Sequence, residues 1–144
     1  MMSLHVSGID GVIAALEKMA VESVAANLRI VQRGQAVLEA EAKKSFTGAH
    51  AKGAPTTSRP GSPPDVVSGT LRRSIKSSTA APDGAYGAKG SVYPTAVYAR
   101  IMELGGRTGR GGRTTLPARP FLQPAYVKAL PRLREIAVEE WRKL

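Results

Sequence analysis

Three arginines in a glycine-rich segment are the residues whose type and spacing most suggest chemistry. Arg107, Arg110 and Arg113 lie within or directly after the segment Gly105–Gly112. A planar guanidinium binds phosphates and carboxylates through paired hydrogen bonds, so both a nucleic-acid backbone and an acidic protein surface are compatible partners. The segment lacks the Gly-Lys-Ser/Thr ending of a phosphate-binding loop, and no clear strand precedes it. We therefore expect a mobile basic loop, with a merely solvated loop as the alternative.

Residues that commonly carry enzyme chemistry are sparse in this chain. His5 and His50 fall in a predicted tail and a predicted loop, where a lone histidine is usually solvated. No Gly-x-Ser-x-Gly motif is present. The sequence has no cysteine, so disulfides and thiolate metal sites are excluded. Closely spaced acids occur only as two pairs, which we interpret as solvated helix faces: Glu39/Glu41 and Glu139/Glu140. The sequence thus predicts a protein that is not an enzyme and holds no cofactor or metal.

The positive charge is concentrated in the middle of the chain. The formal net charge is +10 at pH 7, whereas residues 42–134 carry sixteen Lys/Arg and three Asp/Glu, a net +13. Residues 1–41 and 135–144 are slightly acidic, at −2 and −1. Such a distribution favours a polyanion or an acidic protein surface as partner, with a solvated basic surface as the alternative.

Helical periodicity predicts two long helices. The first spans about residues 8–45, with Ser7 as its N-cap, and Gly34 marks either a kink or the close approach of a neighbour. The second spans about residues 123–144, with a kink or break at Pro131. Steps of three, four or seven residues place one apolar face on the first helix: Ile9, Ile13, Leu16, Ala20, Val24, Leu28, Val31, Leu38 and Ala42.

The middle of the chain predicts short elements of both kinds. One helical turn would bury Leu71 and Ile75 and leave Arg72 and Arg73 facing outward. Two strand candidates follow, at residues 75–80 and 90–93, with a turn at Pro82-Asp83-Gly84 between them. A further helical segment places Val97, Ile101 and Leu104 on one face.

Two segments lack any period and are predicted to be extended loops. Residues 47–67 include Ser58-Arg59-Pro60-Gly61-Ser62-Pro63-Pro64, a composition that favours extended polyproline geometry over packed elements. Residues 105–119 contain the arginine-glycine segment. We expect both loops to act as arms that contact other molecules, on a single domain spanning residues 1–144.

Two sequence blocks carry a resemblance to a known family. The first is Pro60-Gly61-Ser62-Pro63-Pro64 followed by Ser68-Gly69-Thr70-Leu71-Arg72-Arg73-Ser74-Ile75. The second is Tyr98-Ala99-Arg100-Ile101-Met102-Glu103-Leu104-Gly105, followed by Pro117-Ala118-Arg119-Pro120-Phe121-Leu122-Gln123-Pro124-Ala125. In this order, the blocks resemble the pattern of a family of bacteriophage tail components, also described as head–tail joining or tail-completion proteins of long-tailed phages. The long basic stretch between the halves of the second block departs from that pattern.

The resemblance implies an α+β fold, in which a small antiparallel sheet packs against helices and subunits assemble as a ring. It implies a structural role at the head–tail junction of the virion, after assembly in the host cytoplasm. The implied partners are copies of this chain, adjacent neck and tail proteins and, transiently, genomic DNA in the channel, but no membrane. A sequence-independent nucleic-acid-binding protein is the alternative.

The charge pattern and the two blocks together give the expected site residues. We expect Phe121 to anchor the core, Pro120 and Pro124 to fix the entry into the last helix, and Glu103 to pair with an arginine such as Arg119. The candidate interface residues are Arg59, Pro63, Pro64, Arg72, Arg73, Arg107, Arg110, Arg113 and Arg119. The candidate structural residues are Gly69, Leu71, Ile75, Glu103, Gly105, Pro120, Phe121 and Pro124.

Overall fold

Two long antiparallel helices frame the fold, α1 (Ile9–Lys44) and α4 (Leu122–Trp141). The structure is a computed structural model that describes residues 9–144, so the predicted cap at Ser7 lies outside the described residues. The end of α1 meets the start of α4, where the rings of Phe46 and Phe121 lie 5.2 Å apart. Farther along, a Cβ atom on Gly34 would lie 3.3 Å from Leu133 Cδ2. Gly34 therefore marks the close approach of a neighbouring helix.

Of the two outcomes predicted at Pro131, a kink or a break, the break is wrong, because α4 continues through this residue. Ala125 and Ala129 before the proline and Ile136 after it are all buried on one face of the helix. Proline lacks the N–H that would close a helical hydrogen bond. Pro131 and Val127, four residues earlier, are both exposed, so the missing bond falls on the solvent side of α4. The buried face on the opposite side continues across the proline, from Ala129 to Ile136.

The predicted small antiparallel sheet is present as two separate two-stranded pairs, both packed on α1. Strand β1 (Ile75–Ser77) pairs with β4 (Val92–Pro94), and β2 (Ala81–Asp83) pairs with β3 (Gly87–Lys89) between them. Pro82 and Asp83 thus belong to strand β2. The turn, predicted at Pro82-Asp83-Gly84, begins at Gly84. Gln35 of α1 bridges the gap between the two pairs, since its amide donates to the carbonyls of Ser78 and Ser91 at 3.1 and 3.0 Å.

Two short helices, α2 (Thr70–Ser74) and α3 (Ala99–Leu104), complete the core. The expected burial of Leu71 and Ile75 and exposure of Arg72 and Arg73 are confirmed. The predicted apolar face of α3 is wrong. Val97 precedes the helix and is 98% exposed, Leu104 is 66% exposed, and Ala99 faces the core instead. The helix has only six residues, too few for a spacing pattern to identify the buried side.

The arginine-glycine segment is a β-hairpin and not an extended loop. Strand β5 (Gly106–Thr108) pairs antiparallel with β6 (Thr114–Leu116), and a 3₁₀ turn spans Arg110–Gly112. Glycine is a poor strand former, so the glycine-rich composition concealed this element. Glycines at positive φ, including Gly109 and Gly111, provide the tight return of the chain.

Candidate interface site

The two sequence blocks meet in the core. Leu71 and Ile75 of the first block pack in one cluster with Ala99, Phe121 and Ala125 of the second, and Phe121 and Ile75 are fully buried. The predicted anchoring role of Phe121 is consistent with this burial. Pro120 and Pro124 are half-buried on either side of the start of α4.

Glu103 fixes the start of α4 directly, by a contact that sequence reasoning did not foresee. Its carboxylate accepts hydrogen bonds from the backbone N–H groups of Phe121, Leu122 and Gln123 at 2.7, 3.0 and 3.0 Å. The first N–H groups of a helix have no partner within the helix and carry partial positive charge. The structure shows no Glu103–Arg119 ion pair among its salt bridges within residues 9–144, so the expected pairing is wrong. The acid serves as a cap supplied from α3.

Two structural glycines occupy positions that other residues would strain. Gly69 precedes α2 with φ of 73°. Gly105 follows α3 with φ of 70°, and a Cβ atom there would lie 2.7 Å from the backbone nitrogen of Ala118. These positive φ values favour glycine, and the close approach at Gly105 holds the base of the β5–β6 hairpin against the segment leading to α4.

Asp65 organises the 47–67 loop, which is folded back on the protein. One carboxylate oxygen, Oδ2, accepts hydrogen bonds from the backbone N–H groups of Thr57 and Ser58 at 2.7 and 3.1 Å. The Thr56 and Thr57 hydroxyls donate to the same oxygen at 2.9 Å, and His50 Nδ1 lies 3.0 Å from it. The expectation of a solvated His50 is wrong, because its side chain is only 17% exposed. The signal in the sequence was a lone acid among threonines and serines, residue types that commonly form such turns.

The hydrogen bonds around Asp65 lower its pKa by more than burial raises it. Burial alone would raise the pKa of this carboxyl, but the donors from Thr57, Thr56 and His50 hold the pKa well below its usual range. A histidine beside an aspartate can serve an enzyme when a nucleophilic hydroxyl lies on the other ring nitrogen. Here the nearby hydroxyls have other acceptors: those of Thr56 and Thr57 point to Asp65, and that of Ser58 donates to the Pro63 carbonyl at 2.7 Å. The arrangement orders a loop.

Arg119 and Pro64 hold this loop in place and are not free interface residues as predicted. The Arg119 guanidinium lies 3.4 Å from the Ser58 carbonyl, and its Nε atom is buried without a partner in the described part of the chain. The Gly61 N–H donates to the Ala118 carbonyl at 2.8 Å. Pro64 is buried, Pro63 is half-buried, and only Arg59 among the predicted interface residues of the loop is exposed.

The remaining predicted arginines lie on two exposed basic surfaces. Arg72 and Arg73 line a groove of about 620 Å³ together with Lys43 and Lys76. The β5–β6 hairpin carries the others, all exposed: Arg107, Arg110 and Arg113. Both surfaces can bind anions, because guanidinium groups reach solvent there without a carboxylate partner among residues 9–144.

Glu139 and Glu140, interpreted from the sequence as solvated, instead join α4 to α1. Glu140 is 2% exposed and accepts hydrogen bonds from Arg29 Nε at 2.8 Å and Arg33 Nη1 at 2.7 Å. Lys143 donates to the same carboxylate at 2.7 Å. Hydrogen bonds from Lys143 and Arg29 favour the charged carboxylate more than burial disfavours it, and the pKa of Glu140 is lowered to about 2. Glu139 pairs with Arg33 on the same side, at 2.6 Å. The two acids therefore fix the position at which α4 ends against α1.

The beginning of α1 extends past the elements that pack on it. Glu140 lies against Arg29, and the carbonyl of Tyr86, in the β2–β3 turn, accepts a hydrogen bond from Asn27 at 2.7 Å. Residues 9–22, the α1 arm, precede both contacts, and no other element within residues 9–144 covers its apolar side chains. Their exposed fractions range from 47% to 72%: Ile9, Val12, Ile13, Leu16, Met19 and Val21. The sequence held a signal for this arm, because the first predicted helix is much longer than the second.

Within residues 9–144, no group of three or more His, Asp or Glu side chains is placed to hold a metal ion. None of the helices described between Ile9 and Trp141 is long and apolar enough to cross a membrane. Comparison with protein-family models, with curated proteins and with solved structures finds no match to this chain.

Proposed function

We propose that this chain is a structural subunit of a tailed bacteriophage, forming a ring that joins or completes the tail at the head–tail junction. The observation that carries the proposal is the pair of sequence blocks that resemble the phage tail-component family. Those blocks supply Leu71, Ile75 and Phe121 to one core, and Glu103 of the second block caps the helix that follows it. The blocks therefore describe how this chain folds as well as what it resembles.

Two further features support a structural, non-enzymatic role. The His50–Asp65 pair orders a loop, and the hydroxyls of Thr56 and Ser58 near it donate to Asp65 and to the Pro63 carbonyl. The α1 arm exposes apolar side chains of a kind that subunit contacts cover. In this proposal, the partners are copies of this chain and adjacent neck and tail proteins, and the subunits assemble in the host cytoplasm and remain in the virion.

The proposal is tested by locating the protein in purified phage particles and by removing its gene. We expect antibody labelling at the neck, and we expect loss of the gene to give filled heads and separate tails. Restoring the gene on a plasmid is the control, and it should restore joined particles. Joined, infectious particles that form without the protein would contradict the proposal.

A sequence-independent nucleic-acid-binding protein is the second candidate, favoured by the exposed Arg107, Arg110 and Arg113. Such a protein releases counterions on binding, so its affinity for duplex DNA would fall steeply with salt. Replacing the three arginines by serine would then flatten that dependence by up to about three phosphate contacts. We expect weak DNA binding by the parent and impaired joining of tails by the variant. Strong, salt-sensitive DNA binding lost in the variant, with tail joining intact, would favour the second candidate.

A further inference from the structure

The apolar stripe on the α1 arm continues a face that the protein already buries. Val12, Met19 and Ala26 are seven residues apart, a spacing that places them on one side of a helix. Ala26, three residues before the Arg29 that binds Glu140, is fully buried, whereas Val12 and Met19 are each 59% exposed. Leu16, 60% exposed, lies beside them. The arm therefore presents an apolar face, like that of a buried helix, with no packing partner among residues 9–144.

One edge of this stripe is acidic. Asp10 lies three residues before Ile13 and Glu17 lies four after it, so both carboxylates flank the same apolar side chain on the helix surface. With Glu22 and Lys18, the arm has a net charge of −2, in a protein whose total is +10. An acidic, apolar helix is thus attached to a strongly basic body.

A groove with the complementary character lies beside α2. Its apolar part is a cavity of about 150 Å³, and the basic groove of Arg72 and Arg73 adjoins it, sharing residues 66–69. We call the two together the Leu71 groove. The apolar part is lined by Phe46, Val66, Val67, Leu71, Tyr98 and Met102. The basic wall is formed by Lys43, Arg72, Arg73 and Lys76.

The arm cannot reach the Leu71 groove of its own subunit. Leu16 of the arm and Lys43 of the groove are both in the continuous helix α1, 27 residues apart. At 1.5 Å per residue, this separation is about 40 Å along a stiff helix. Contact between arm and groove therefore requires two subunits, each using a different surface. Such a head-to-tail contact generates a ring when the rotation closes.

We infer that the α1 arm of one subunit docks in the Leu71 groove of the next copy of this chain. The apolar stripe around Leu16 covers Val67 and Met102, which line the groove, and the acidic edge at Asp10 and Glu17 faces Arg72 and Arg73. This inference rests on the proposed ring and specifies the contact that builds it.

Paired cysteines test the contact directly, because the natural chain contains none. The double variant Leu16→Cys/Val67→Cys places one thiol on the arm and one in the groove, at residues that are 60% and 46% exposed. Mild oxidation at high protein concentration should give a ladder of disulfide-linked multimers on a non-reducing gel. The matched control is Leu16→Cys/Val127→Cys, since Val127 is 58% exposed but lies on α4, outside the groove. It should give only background cross-linking.

Each alternative has a distinct outcome. Efficient dimers from Leu16→Cys alone would show that arms pair with arms, and would overturn the inference. So would an absent ladder, or one equal to that of the control. Reversing the wall with Arg72→Glu/Arg73→Glu should suppress the ladder, and adding Asp10→Lys/Glu17→Lys should restore it. A ladder that ignores these reversals would overturn the assignment of the basic wall.

The cross-linking experiment tests the docking contact, and the experiment on phage particles tests the proposed function, so their outcomes are independent. A ladder from a protein that is absent from phage necks would leave the docking intact and remove the proposed function. A protein found at the neck that gives no ladder would leave the function intact and remove the docking.

Discussion

Phe121 is the residue on which the core depends most. It is fully buried against Phe46 and the residues of α2, so truncation leaves a cavity that the helices cannot readily fill. We expect Phe121→Ala to lower the free energy of unfolding by about 3–5 kcal/mol in urea denaturation followed by circular dichroism. Val97→Ala is the control, since Val97 is 98% exposed, and should change it by less than about 0.5 kcal/mol. Similar losses in the two variants would contradict the core assignment.

Glu103 acts on a different group, the backbone at the start of α4. Glu103→Ala removes the acceptor of three N–H groups, and losses of helix caps are typically about 0.5–2 kcal/mol. We expect a decrease in that range, measured by the same urea titration. Glu17→Ala, on the exposed arm, removes an acid without removing a cap and serves as the control. An unchanged midpoint for Glu103→Ala would show that water replaces the carboxylate.

The position of an individual site residue could be predicted where one property of the residue, such as apolar character, determines its burial. The burial of Leu71, Ile75 and Phe121 follows from apolar character and spacing. Arg119 and Pro64 were assigned to an interface from the charge pattern and the two sequence blocks, but Pro64 is buried and Arg119 is half-buried against the Ser58 carbonyl. The contacts of Glu103 and Asp65 join an acid to backbone N–H groups, and the sequence does not reveal which N–H groups a carboxylate will reach.

At the scale of elements, the β5–β6 hairpin depends on its base. Gly105→Ala would introduce a Cβ atom 2.7 Å from the Ala118 nitrogen, at a positive φ. We expect a destabilisation of more than about 1 kcal/mol. Gly84→Ala is the matched control, because Gly84 also has a positive φ, 66°, but faces open space. If thermal unfolding shows equal losses in both variants, backbone strain alone is responsible and the close approach contributes nothing.

The α1–α4 contact should make stability depend on acid pH. The pKa of Glu140 is lowered from its ordinary 4.5 to about 2, so the folded state favours the charged form. Its contribution is complete above about pH 4.5 and is lost as pH falls towards 2. Glu140→Gln should therefore unfold at lower urea than the parent at pH 7, and the difference should narrow between pH 4.5 and 2. A difference that stays constant over this window would show that the charge of Glu140 is not responsible.

Elements were predictable in proportion to their length. Both long helices were placed within three residues of their observed ends, because apolar periodicity repeats many times along each of them. The six-residue α3 repeats it too few times, and the apolar face predicted from Val97 and Leu104 was wrong. The hairpin at 106–116 was missed because its stability comes from turn geometry at glycines, which apolar patterning does not record.

At the scale of the whole molecule, proteolysis distinguishes the folded parts from the most exposed loop. Residues 51–57 are exposed and lie outside any helix or strand, whereas the arginines of the hairpin lie in or beside a ladder of backbone hydrogen bonds. We expect brief trypsin treatment to cut first after Lys52, as detected by mass spectrometry. First cuts within the central part of α1, at Arg29 or Arg33, would contradict the packing of the two long helices.

The distribution of charge over the molecule was visible in the sequence, but its placement was not. The basic residues 42–134 and the acidic α1 arm were both evident from residue counts. The long helix holds the arm and the Leu71 groove about 40 Å apart, because Leu16 and Lys43 lie 27 residues apart in it. That the arm stays uncovered follows from the structure alone, in which the β2–β3 turn contacts α1 at Asn27 and Glu140 of α4 contacts it at Arg29. The separation along α1 excludes contact between the two surfaces within one subunit.

The β5–β6 hairpin leaves the body and returns to nearly the same point. Gly106 pairs with Leu116 across its base, and the Arg119 N–H donates to the Met102 carbonyl just beyond it at 2.7 Å. The residues between these contacts form the hairpin, and a change in their number would leave the contacts at its base unchanged. A foreign peptide, such as an epitope inserted between Gly111 and Gly112, would be carried at its tip with no core side chain displaced. The hairpin is thus a natural display position, open to evolutionary insertion and to engineering alike.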